Sequence, residues 1–187
     1  MRSQRGISLI EVLVSMIILA VGLLALVILQ GRLQVLQVES YQRSQALVLL
    51  HDMASRIALN RNNAAAYAAG APVTAPVGVG MTCASGATRE EQDVDAWCRE
   101  LQGAAETSGT TNVGAMVGGR GCVEALGSDS YMVTVAWQGL APLSAPPASV
   151  DCGANLYNGA ANTPCQGDMC RRVVTTVVQI ADLNNAP

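Results

Sequence analysis

Apolar and polar positions divide the chain into stretches of different texture. From Ile7 to Leu29 almost every position is apolar, and only Ser8, Glu11, Ser15 and Gly22 interrupt the run. The part beyond Glu11, Val12 to Leu29, is about 18 residues, close to the roughly 20 that a helix needs to cross about 30 Å of hydrocarbon. Past Leu29 the apolar positions thin out to helical spacing at Leu36, Leu47, Leu50, Ala54 and Ile57. Arg32, Gln34, Gln37, Glu39, Gln42, Arg43 and Gln45 take the other faces. No Pro occurs before Pro72, so the pattern predicts one helix from about Ile7 to Arg61. Its outer half would be the spine of a domain, with Leu47, Leu50, Ala54 and Ile57 facing a core.

Residues 62–87 are rich in Ala, Gly, Pro and Thr and read as a loop. Thr88 to Glu91 has the form of a capping box, and Val94, Trp97, Cys98 and Leu101 follow at helical spacing, so 88–103 reads as a second, short helix. Its acidic start, Glu90, Glu91, Asp93 and Asp95, reads as a solvated helix terminus complementing the dipole. Residues 103–121 are loop-like, and Cys122–Leu126, Tyr131–Gln138 and Arg172–Ala181 have strand composition. Gly127, Ser128 and Asp129 suggest a hairpin between the first two strands. A long Pro-rich loop with three Cys separates the second from the third. The expected fold class is α+β: a long N-terminal helix packed on a small antiparallel sheet, with Trp97 and Trp137 in the core.

Charge and cysteine content sharpen this picture. All 11 basic residues are Arg, and only 13% of the 187 residues are charged. Residues 1–61 carry six Arg against Glu11, Glu39 and Asp52, whereas 62–187 carry five Arg against eleven acids. An acidic body without basic clusters is a poor partner for nucleic acid, since binding to phosphate relies on Lys and Arg. The six Cys, at 83, 98, 122, 152, 165 and 170, all fall in the second half. An even number in an exported body reads as a disulfide framework. Six Cys allow 15 connectivities. Local loop closure favours Cys83 with Cys98 and Cys152 with Cys170, leaving Cys122 for Cys165. No C-x-x-C pair is present and the single His51 lies far off on the long helix, so neither zinc nor any other metal is expected. Catalytic motifs and cofactor signatures are likewise missing from the sequence.

Arg2 and Arg5 before the apolar run, and acidic sequence after it, place the N-terminus in the cytoplasm and the body outside. A cleaved secretory signal fits less well, because its apolar region is shorter and ends in a small-x-small site that Val27 to Arg32 lacks. Glu11 is the unusual residue. An unpaired carboxylate inside a membrane segment costs about 2.5–3.5 kcal/mol on insertion scales, so an acid at this depth implies a partner or a function.

Gly6 followed by Ile7-Ser-Leu-Ile-Glu11-Val-Leu-Val-Ser resembles the class III signal of type IV pilins and pseudopilins. The resemblance implies a basic leader at 1–6, a transmembrane and polymerisation helix at 7–30 and a periplasmic globular domain at 31–187. It implies cleavage between Gly6 and Ile7 by a membrane aspartyl prepilin peptidase, N-methylation of Ile7, and pairing of Glu11 with the Ile7 amine of a neighbouring subunit during assembly. Further along, Gly118-Gly-Arg-Gly-Cys122, Tyr131 to Gly139 with Trp137, and Arg171-Arg172-Val-Val are similar to the PilV group of minor pilins. That likeness implies a minor pilin acting in assembly or initiation of a type IV pilus, and through it in adhesion and twitching motility. Its partners would be the major pilin, other minor pilins and the inner-membrane assembly machinery. Its location would be first the inner membrane and then the pilus, near the tip. Two departures stand out: Ile7 where many relatives have Phe, and Ile28 where a mid-segment Pro is frequent, so no Pro kink is expected. Gly22 and Gly31 remain as weak points or merely tolerated residues. The competing readings are a minor pseudopilin of type II secretion, a membrane-anchored adhesin that never polymerises, and an anchored periplasmic enzyme.

Overall fold

The computed structural model describes residues 8–104, 107–112, 114, 116–127 and 129–181. The leader, the Gly6–Ile7 junction and Ser128 of the expected hairpin lie outside the described residues. A long helix α1, Leu9–Leu59, opens the fold. The chain divides into two compact units, residues 1–39 and residues 40–187.

In the second unit, α1 buries Gln42, Ala46, Leu50, Met53 and Ile57. Steps of three and four residues put these on one face. The expected stripe is therefore displaced: Leu50 and Ile57 belong to it, Ala54 flanks the core, and Leu47 is exposed. A 3₁₀ turn, Arg61–Asn63, follows α1 and leads into a second helix α2, Ala64–Gly70. The expected loop 62–87 thus contains a helix, because Ala64 to Ala69 is an almost unbroken run of the best helix former and Tyr67 within it is fully buried. Helix α3, Arg89–Leu101, starts at the anticipated capping box, in which Thr88 and Glu91 satisfy each other's backbone N–H.

Four strands form one antiparallel sheet in the order β1-β4-β5-β6: β1 Val77–Gly78, β4 Arg120–Gly127, β5 Ser130–Gln138 and β6 Arg171–Gln179. A separate small hairpin pairs β2, Thr107–Ser108, with β3, Thr111–Asn112, inside the stretch expected to be loop. Register follows from Cys122 opposite Thr134 and Thr134 opposite Thr175. The β4–β5 turn relies on Gly127 at φ 89° and Asp129 at φ 55°.

Strand β5 is apolar almost without alternation because both its faces are covered. Tyr131, Val133, Val135 and Trp137 join the core that includes Ala46, Leu50, Met53 and Ile57 of α1. Ala136, on the opposite face, packs with Cys122, Cys152 and Tyr157 beneath the long 139–170 loop. Trp97 seals α3 to α1, its indole N–H donating to the Leu49 carbonyl at 2.9 Å. A side chain at Gly121 would run into the Trp97 ring, so glycine is what lets β4 approach α3 this closely. The α+β expectation of a long helix on a small antiparallel sheet holds.

Candidate functional site

The first unit is a bare apolar helix. Residues 8–38 are exposed throughout, including Leu9 at 79% and Ile10 at 68%. It is the helix long and apolar enough to cross a membrane among the described residues. So large a contiguous apolar surface is incompatible with standing in water and calls for lipid or other helices around it. Glu11 sits in its first turn and is the sole acid of residues 8–38, as Arg32 is the sole base. The Ser15 hydroxyl donates to the Glu11 carbonyl at 2.7 Å, so the hydroxyl is bonded within the helix and asks nothing of lipid. Gly22 and Gly31 lie inside α1 with no atom near the position a Cβ would take. The helix runs unbroken past Ile28.

In the second unit the structure collects charges that the sequence reading had set in solvent. Asp93, expected at a solvated helix start, is 4% exposed. It accepts from the Tyr67 hydroxyl at 2.7 Å, from Arg56 Nη1 at 3.2 Å and from Arg89 Nε at 3.2 Å. Arg56 also bonds Asp52 at 2.7 Å. This knot ties α1, α2 and α3 together around one carboxylate. Burial pushes the Asp93 carboxyl up, but the hydrogen bonds from Tyr67, Arg89 and Arg56 outweigh it and hold the group below its ordinary value. Burial, and then the bond to Asp93, pushes the Tyr67 phenol up to about 12. One sequence signal foretells the burial of Asp93, though not its partners: Asp93, Trp97 and Leu101 share one helical face. His51 is exposed on α1, and among the described residues no three His, Cys, Asp or Glu side chains gather as metal ligands.

The cysteines form Cys83–Cys98, Cys122–Cys152 and Cys165–Cys170. The first is the pairing expected. The expected Cys152–Cys170 and Cys122–Cys165 pairs are replaced, for a reason visible in the sheet. Cys122 points away from α1 into the small cluster beneath the 139–170 loop, where Cys152 is fully buried beside Ala136 and Tyr157. Cys165 and Cys170 then close a tight ring, which Gly167 at φ 58° and Asp168 at φ 61° turn back on itself. The Arg171 guanidinium anchors the loop base through Nη1 to the carbonyls of Val150 at 2.6 Å and Cys152 at 3.1 Å.

Residues 1–27 match the prokaryotic N-terminal methylation motif. The match takes in Gly6, Ile7 and Glu11, and supports a place for the chain in the type IV pilin-like superfamily, with which the α+β fold is consistent. It implies processing by a prepilin peptidase and membrane anchoring followed by incorporation into a pilus-type assembly. Motif and fold together are those of a pilin-like structural subunit. No curated protein and no solved structure matches the chain.

Proposed function

We propose that this chain is a minor pilin, a subunit taken up during assembly or initiation of a type IV pilus. The observation that carries the reading is one acid, Glu11, in the first turn of a fully exposed apolar helix whose start matches the methylation motif. Cleavage after Gly6 removes Arg2 and Arg5 while the apolar helix stays in the membrane, and frees a cationic amine on Ile7, four residues before Glu11 in the sequence. In a filament the Glu11 carboxylate of one subunit pairs with the Ile7 amine of the next. Burying the two together costs far less than burying either alone, so the pair sets the register of polymerisation. The segments similar to the PilV group fall on β4, β5 and β6, where Arg120 stands opposite Ala136, and Trp137 opposite Arg172.

Two substitutions test this. Gly6→Val should leave an uncut precursor in the membrane, read by intact mass spectrometry. Glu11→Ala should be inserted and cut normally but should be depleted from sheared pili at equal cellular levels. Normal recovery of Glu11→Ala in pili would overturn the pairing mechanism, and recovery in a secretion pseudopilus instead would reassign the subunit to type II secretion.

A further inference from the structure

The chain contains one Asn-Gly pair, Asn158-Gly159, at the tip of the long loop. Asn-Gly is the dipeptide most prone to cyclise, because glycine puts no side chain in the way when its backbone nitrogen swings toward the preceding carboxamide. Both residues are exposed. Here the reaction is blocked at both ends. The Gly159 N–H donates to the Cys165 carbonyl at 2.7 Å, and the Asn158 Oδ1 accepts from the Asp168 N–H at 2.9 Å. Gln166 Nε2 donates to the carbonyls of Gly159 and Ala160, both at 2.8 Å. On the other side, the buried Tyr157 fixes the preceding residue through its hydroxyl bond to the Gly118 carbonyl at 2.8 Å. Every partner on the downstream side lies within or beside the ring closed by Cys165 and Cys170. Glycine is needed at 159 for a separate reason: a Cβ there would collide with Thr163 Oγ1.

We propose that Asn158 is a latent deamidation site that the Cys165–Cys170 ring holds closed. Opening the bond, by a thiol reductant or in a chain that never acquired it, releases the 159–165 turn. The Gly159 nitrogen then attacks Asn158 Cγ, a C–N bond forms, the bond from Cγ to Nδ2 breaks, and ammonia departs with the proton from Gly159. Water opens the resulting succinimide to aspartate or isoaspartate. Either product places a new negative charge beside Asp168, and isoaspartate adds a backbone methylene, so the turn cannot re-form in its original shape. Subunits lacking the bond are thereby marked irreversibly.

The full-length chain, purified in detergent and incubated at mildly alkaline pH, supplies the test. Peptide mapping follows conversion of Asn158, with Asn155 and Asn162 as internal controls. The intact protein should retain Asn158, whereas Cys165→Ala/Cys170→Ala should convert it about tenfold faster, the factor made by about 1.4 kcal/mol of barrier. Gln166→Ala, which leaves the disulfide in place, should give a smaller acceleration and covers the case in which the double variant misfolds. Equal rates in the intact protein and both variants, or conversion of the intact protein at the rate of the urea-unfolded chain, would overturn the proposal.

Discussion

Replacing Asp93 by Asn removes the charge at the centre of the α1–α2–α3 knot while keeping its shape. The Arg89 side chain is 71% exposed, so its bond to Asp93 has the weight of a surface pair, at most about 1 kcal/mol. Arg56 is more enclosed, at 22%, and keeps Asp52 as a second partner, which limits its loss to a similar amount. Tyr67 decides the magnitude. Its hydroxyl is buried, and a hydrogen bond from such a group to a charged acceptor contributes roughly 1.5–3 kcal/mol. Since the Asn Oδ1 recovers one neutral bond, Asp93→Asn should cost about 2–3 kcal/mol. At roughly 2–4 °C per kcal/mol for a body of this size, Tm should fall by about 5–10 °C. Fluorescence of the buried Trp97 and Trp137 during thermal unfolding of the full-length chain in detergent reads the shift, and a double-mutant cycle with Tyr67→Phe isolates the pair. A variant melting at the parental temperature, or additive losses in the cycle, would refute the reasoning.

The same region predicts the acid limb of stability. Burial, then Asp52, raises the Glu100 carboxyl above its ordinary 4.5 despite Arg56. A raised carboxyl is costly in the folded state when ionised, so stability climbs as pH falls through its folded value toward 4.5. Asp93 has the opposite sign: its stabilisation is complete above the unfolded value of 3.8 and disappears as pH falls through its lower folded value. As pH is lowered, Tm should therefore rise gently and then drop, with Glu100→Gln flattening the rise and Asp93→Asn the drop. Removing Cys122 and Cys152 together should lower stability by about 3–4 kcal/mol in denaturant titrations, the chain-entropy value for their 30-residue loop. Peptide maps of the oxidised protein should recover those two cysteines linked. Gly121→Ala should cost about 1–3 kcal/mol through overpacking and should shift Trp97 emission, because the new methyl points into that ring.

What the sequence disclosed and what it concealed divide along physical lines. Period and capping signals are local, so the long helix, the Thr88–Glu91 start of α3 and the β-branched strands could all be read directly. The core stripe of α1 was harder, because Leu47, Leu50, Ala54 and Ile57 are spaced as regularly as Ala46, Leu50, Met53 and Ile57. Only the position of the sheet chooses between them. Helix α2 was hidden by the Gly and Pro that follow it, although its alanines speak for themselves. The Asp93 knot was missed because an acidic run at a helix start has an adequate explanation in solvent. Nothing local announces that Tyr67, 26 residues earlier, donates to one of those acids. Cys83–Cys98 was read correctly because it closes a local loop, whereas the choice of the other two disulfides failed, since the face of β4 on which Cys122 emerges depends on strand register. At the N-terminus the signal is short, contiguous and chemical, and the motif match over residues 1–27 spans the same segment.

The order in which the ribosome delivers this fold has a cost in time. The buried stripe of α1 ends at Ile57, yet its partners include Val133 and Val135 of β5 and, at the rim of the core, Val174 and Val178 of β6. Roughly 120 residues must follow Ile57 before the last of these exists, about 6–24 s at 5–20 residues per second. Until β5 is made the α1 stripe has no sheet to cover it, and α2 and α3 alone can shelter it. The body is thus a late-closing fold whose first-made element waits for its late-made strands. A chain released or truncated before β5 would present an apolar helix face to whatever chaperone or protease meets it first.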